Sequence, residues 1–136
     1  MDIPSALEFF RNNHRAVVAT RRTDGSPSLT PITVGVDDDD KVTISTREPS
    51  MKVRHLRREP RIWICGLNDG FFGDFVQAEG NVEIVELPDA MEGLVEYYRR
   101  ISGEHPDWDD YRAAMVRDQR VLVRVTLDRV GPTVSG

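Results

Sequence analysis

A chain of 136 residues has the length of one folding unit, and its 39% apolar, 7% aromatic and 30% charged residues are an ordinary globular composition. No apolar run nears the ~20 residues that cross a bilayer, and Met1-Asp2-Ile3-Pro4 lacks the basic and apolar segments of a secretion signal, so one domain over residues 1–136 with no membrane partner is expected. The net charge of −5 argues against nucleic acid as a partner, and Cys65, the only cysteine, excludes an internal disulfide and suggests a cytoplasmic location.

Ser5-Ala6-Leu7-Glu8 has capping-box spacing and, with Leu7, Phe9 and Phe10, predicts a helix from Ser5 to Asn13. The β-branched run Ala16 to Thr20 predicts a strand, closed by the hairpin signal Thr23-Asp24-Gly25-Ser26. The returning strand runs Ser28 to Val36, and Pro27 and Pro31 mark it as edge-like or bulged near Pro31. Asp37 to Asp40 reads as a solvated turn, because four adjacent carboxylates lack the alternating ligands and glycine of a calcium loop. Lys41 to Ser45 alternates as a third strand. Pro49-Ser50 then opens a helix whose Met51, Val53 and Leu56 keep helical spacing until Glu59-Pro60 stops it.

Arg61 to Cys65 is a fourth strand, followed by the turn Asn68-Asp69-Gly70 and a long fifth strand from Phe75 to Val85 with a bulge or bend at Gly80. Pro88-Asp89, with Glu92 in capping-box position, predicts a helix that reaches Ile101 and stops at Ser102-Gly103. Tyr111 to Met115 predicts one or two helical turns, and Val121 to Leu127 the last strand. Three antiparallel strands arrive before any crossover helix, which excludes a doubly wound parallel sheet. The expected class is mainly β (α+β), a six-stranded antiparallel barrel with flanking helices.

Chemistry concentrates at Ser45-Thr46 and Pro49-Ser50-Met51-Lys52. A strand ends in two hydroxyls and a serine starts a helix, where orphan N–H groups and the helix dipole favour an anion. Lys52 puts a cation in the first turn, where the dipole prefers an acid, and a bound phosphate would reverse that conflict. The same serine would also cap an empty helix with Lys52 pointing to water, so the segment alone leaves both readings open. The arginines at positions 54, 57, 58 and 61 fit either a solvated helix face or an anion site. His14, His55 and His105 show no metal-ligand spacing with Cys65, and no metal is expected.

The run Arg15 to Pro27 and the run Ser50 to Arg61 together resemble the pyridoxamine-phosphate-oxidase-like FMN-binding split-barrel superfamily, and most closely its small coenzyme F420-dependent reductases. The resemblance covers about Ser5 to Val130 and implies a split β-barrel that forms a homodimer with the cofactor at its interface. It implies that Ser45, Thr46, Ser50 and Lys52 hold the cofactor phosphate, with Met51 and Arg54 also among the cofactor-binding residues. The strand Leu29-Thr30-Pro31-Ile32-Thr33 would lie against the ring system, and Cys65-Gly66-Leu67-Asn68 would offer backbone contacts. Arg54, Arg57 and Arg58 would meet a polyglutamate tail. The chain also departs from the vitamin B6 oxidases. No arginine stands between Ser28 and Val36 to clasp FMN, Met51 replaces an arginine before the lysine, His55 replaces an asparagine, and Val130 to Gly136 carry no substrate-binding Arg/His motif.

The implied activity is therefore hydride transfer from a reduced deazaflavin to an electron-poor double bond of a small organic substrate. FMN is the alternative cofactor. A carrier or sensor that binds the cofactor without turnover, and a haem-handling split barrel, are the rival readings. Trp63 is expected in the core or a dimer interface, and Tyr97, Tyr98, Trp108 and Tyr111 in packing or over a substrate pocket.

Overall fold

The computed structural model describes residues 1–132. Its elements are α1 (Ile3–Asn12), β1 (Arg15–Arg21), β2 (Pro27–Thr33), β3 (Gly35–Val36), β4 (Val42–Arg47), α2 (Met51–Arg58), β5 (Arg61–Leu67), β6 (Phe75–Val85), α3 (Met91–Ser102), α4 (Trp108–Arg117) and β7 (Arg120–Val130). The fold is mainly β, with seven strands in one curled antiparallel sheet of order β2-β1-β5-β6-β7-β4-β3 and four helices.

The count of seven rather than six comes from one residue. The extended run Ser28 to Val36 keeps regular register with β1 as far as Thr33, through Pro31, so no bulge forms there. At Val34 the pairing stops, because its N–H donates to the His14 carbonyl (2.8 Å) and its own carbonyl accepts from His14 Nδ1 (2.8 Å). Both backbone groups of Val34 are thereby satisfied outside the ladder. Gly35 and Val36 then pair with β4. One extended segment thus touches both edges of the sheet and curls it into a half-barrel. Pro27 and Pro31 sit on an edge strand, where a missing N–H costs no ladder bond.

Two helix starts differ from the sequence pattern. Asp2, not Ser5, caps α1: its carboxylate accepts from the Ser5 N–H at 2.9 Å, which makes Ser5 a first-turn residue. A charged acceptor suits the positive helix end better than a hydroxyl. At α3 the Asp89/Glu92 capping box does not form. Ala90 is the cap residue without a side-chain bond, and Glu92 pairs instead with Arg112 of α4 at 2.7 Å. The hairpin turn, the bulge at Glu79/Gly80 and the stop at Gly103 (φ 82°) stand where the sequence puts them.

Inward residues of alternate strand positions, among them Val18, Ile44, Ile62, Val76 and Val123, form the main core with Phe10 of α1 and Leu56 of α2. A second cluster of Leu94, Val95, Tyr111, Met115 and Leu122 fixes α3 and α4 to the outer side of β7. Gly66 faces Phe10, and a Cβ there would stand 2.6 Å from the Phe10 ring. Phe10 is fully buried and has little room to retreat. Gly66→Ala is expected to cost about 1–3 kcal/mol by overpacking, read as a lower urea midpoint at unchanged slope.

Candidate functional site

The end of β4 and the start of α2 form a compact polar corner. Ser50 caps α2, its Oγ accepting from the Val53 N–H at 3.3 Å, and lies 3.4 Å from Thr46 Oγ1. Val53 and Leu56 are buried and seat this two-turn helix on the core at the end of the sheet. Ser45 and Thr46 are strand neighbours and face opposite ways. Thr46 is buried, while Ser45 lies opposite Leu122 on the side that α3 and α4 cover. Met51 and Arg54 are exposed.

Lys52 is half-buried and, among the described residues, makes no ion pair. Its ammonium pKa is pushed down, first by burial and then by the positive charge of Arg120. Arg120 opens β7, directly opposite Arg47 in the β4–β7 ladder. Its Nε is buried without a hydrogen-bond partner, and it too has no carboxylate among the described residues. Two cations without an ion pair of their own, near a helix start, are costly in an empty protein and favourable around an anion. The sequence reading missed Arg120, because nothing local to Gln119-Arg120-Val121 reveals the register that sets it beside Lys52.

Tyr97 of α3 reaches the edge strand β2. Its hydroxyl donates to the Thr33 carbonyl at 3.0 Å and lies 2.5 Å from Thr33 Oγ1. Burial raises its pKa, so it stays a neutral phenol. Tyr97 thus ties α3 to the end of β2, 64 positions away in sequence.

Leu29, Pro31, Cys65 and Leu67 lie on the outer face of β2 and β5, together with Val17, Ala19 and Trp63 in ladder pairs Val17↔Pro31, Ala19↔Leu29, Val17↔Cys65 and Ala19↔Trp63. Leu29 is 66% exposed and the others half-buried or exposed, which leaves a continuous apolar face around a cavity of about 190 Å³. The Arg21 guanidinium stacks on Trp63 at 5.0 Å. Burial raises the Cys65 thiol pKa, so it is not an activated nucleophile. Thr30 and Ile32 alternate to the other side of β2, and Gly66 faces the core. Asn68 is spent on its own loop, bonding the Phe72 and Asp74 carbonyls and the Gly70 N–H.

Two of the predicted tail-binding arginines are engaged elsewhere. Arg57 holds Glu48 and Glu86, each at 2.7 Å, and Arg58 donates to the Arg21 carbonyl at 2.5 Å. Arg54 has no acidic partner among the described residues. Residues Thr133 to Gly136 of the closing segment lie outside the described residues.

His55, on the buried side of α2, bonds Thr20 Oγ1 through Nδ1 at 2.8 Å and is 4% exposed. Burial lowers its pKa, helped by the charges of Arg58 and Arg22. A depressed histidine binds fewer protons in the fold than in the unfolded chain. Its contribution is therefore intact above pH ~6.5 and is lost as pH falls below that value. Stability is expected to decline on acidification with a slope of up to about 1.4 kcal/mol per pH unit. His55→Gln should flatten that slope in urea titrations between pH 5 and 7.5.

The sequence pattern of the pyridoxamine 5'-phosphate oxidase family matches residues 3–133. Among solved structures, the conserved hypothetical protein Rv2991 of Mycobacterium tuberculosis is 27% identical, with a TM-score of 0.77 over 100% of this chain and 93% of that one. An F420 reductase shares the fold at 18% identity and TM-score 0.71, over 91% and 94% of the two chains. So does the heme storage protein HutZ of Vibrio cholerae, at 12% identity and TM-score 0.73, over 98% and 96%. The curled antiparallel sheet and the match over nearly the whole sequence agree, and the chain belongs to the pyridoxamine 5'-phosphate oxidase family of split-barrel proteins.

Proposed function

We propose that this protein is a coenzyme F420-dependent reductase, acting as a homodimer on a small organic substrate with an electron-poor double bond. The observation that carries the reading is Lys52 at the Ser50-capped start of α2 with Arg120 on the adjoining β7, two cations that make no ion pair among the described residues. Those residues fit a phosphate. Thr46 and Ser50 offer hydroxyls, the first turn of α2 offers N–H groups, and Lys52 supplies charge. Arg54, exposed beside them, suits an anionic tail.

When bound, the deazaflavin supplies the hydride-transfer chemistry. The protein's part is to orient it and to exclude water. In this reading the Leu29–Thr33 strand and the Cys65–Asn68 segment line the ring, with Pro31, Leu29 and Trp63 giving an apolar surface. The apolar face of β1, β2 and β5 packs against a second copy, which closes the site. Preference for the deazaflavin over FMN rests on the lack of any arginine from Ser28 to Val36.

Reduced deazaflavin mixed with the protein and a panel of enones, quinones and tetrapyrroles tests the activity. Oxidation of the cofactor with one of these acceptors, at a rate set by protein concentration, is expected. Tight binding with no turnover across the panel would make the protein a cofactor carrier or sensor instead.

A further inference from the structure

Arg120 lines a surface cavity of about 460 Å³ together with Glu48, Glu86, Val116 and Gln119. Two carboxylates beside an arginine would ordinarily form its ion pair. Here neither does. Both are held by Arg57, whose Nη2 lies 2.7 Å from Glu48 and 2.7 Å from Glu86. Glu48 is further tied through its backbone, its N–H donating to the Gln119 carbonyl at 2.8 Å. Arg57 stands on α2 one and a half turns beyond Lys52, so the helix that carries one cation of the site also carries the group occupying those acids.

The consequence is a charge arrangement that a sequence count does not show. The chain as a whole is acidic, with a net charge of −5. Yet Arg47, Lys52, Arg54 and Arg120, none with an acidic partner among the described residues, gather where β4, β7 and α2 meet. The buried Nε of Arg120 lacks even a neutral acceptor. A buried donor left unpaired is destabilising, and an oxyanion beside it would supply the missing acceptor.

We propose that Arg120 is a second phosphate-binding cation of the site begun by Lys52, and that Arg57 is a positioning residue that keeps Arg120 available by holding Glu48 and Glu86 away from it. This rests on the reading of the α2 start as a phosphate site. The class of ligand is a phosphate ester, whose oxygens suit a lysine point charge and a guanidinium fork together.

The test is calorimetric titration of the whole protein with inorganic phosphate at fixed ionic strength, with acetate as the carboxylate control and circular dichroism to verify folding. Phosphate is expected to bind and acetate to bind at least tenfold more weakly. Lys52→Ala and Arg120→Gln should each weaken phosphate at least tenfold. Arg57→Ala should weaken it several-fold, although Arg57 does not touch the anion. Arg57→Ala combined with Glu48→Gln and Glu86→Gln should restore it, because no carboxylate is left to capture Arg120. Loss with Lys52→Ala but unchanged affinity with Arg120→Gln would overturn the role of Arg120 and leave the phosphate site standing. No rescue in the triple variant would overturn the role of Arg57. Absence of phosphate binding, or equal binding of acetate, would remove the phosphate reading and this inference with it.

Discussion

Alanine at Lys52 is expected to weaken a phosphate-bearing cofactor by about 1.5–3 kcal/mol, roughly one to two orders of magnitude in Kd, with no loss of thermal stability. The two halves of that result have one cause. In the protein without ligand, Lys52 is a half-buried cation in the first turn of a helix, near Arg120 and with no acid to offset it. Dipole, burial and neighbouring charge all act against it. Its pKa is lower in the fold than in the unfolded chain, so protonated Lys52 weakens the fold at neutral pH. Removing it relieves that penalty and deletes a charge-assisted bond to the ligand. A residue kept only as a solvated helix cation would leave binding untouched, and its removal would slightly stabilise the helix. Fluorescence titration and a thermal melt of the same sample measure both.

Leu56→Ala should behave in the opposite way, costing about 2–5 kcal/mol of stability while leaving affinity for the cofactor near its original value. Leu56 is 1% exposed, and with Val53 it anchors α2 to the core that Phe10 and Ile44 help form. Truncation leaves a void beneath a helix of only eight residues, too short to be stable without its packing. A domain of this size has about 5–15 kcal/mol in total, so the variant should melt on the order of 10 °C or more below the parent. The side chain points into the core one turn beyond Lys52 and is not among the groups that would touch the anion. At a temperature where the variant is still folded, its cofactor Kd should stay within about twofold of the parent. A Leu56→Ala protein that melts normally would mean that α2 is held by something other than its apolar face.

Six of the seven strands, all but β3, were legible because their residues alternate or run β-branched between turn signals. The split of Ser28 to Val36 into β2 and β3 was not, since it depends on His14 taking both backbone groups of Val34 from another part of the chain. Local capping rules failed at α1 and α3 for a related reason. Several acidic or hydroxyl residues near each start satisfy the spacing, and tertiary partners such as Arg112 decide which is used.

In the candidate site, Ser50 and Lys52 stood out because a cation in a first helical turn conflicts with the dipole. Arg120 and Tyr97 carry no such local sign. Their roles come from the β4–β7 register and from where α3 crosses the sheet edges. The arginines at 57 and 58 looked equivalent to Arg54 in sequence. Only the fold shows that Arg57 serves two glutamates and Arg58 a carbonyl, while Arg54 makes no ion pair among the described residues.

The central claim is that the corner of β4 and α2 holds the phosphate of a deazaflavin. Parallel fluorescence titrations of the purified protein with coenzyme F420 and with FMN test it most directly. The account predicts saturable micromolar or tighter binding of the deazaflavin, lost with Lys52→Ala, and much weaker binding of FMN. Micromolar binding of FMN with none of the deazaflavin would contradict it and make the protein an FMN oxidoreductase.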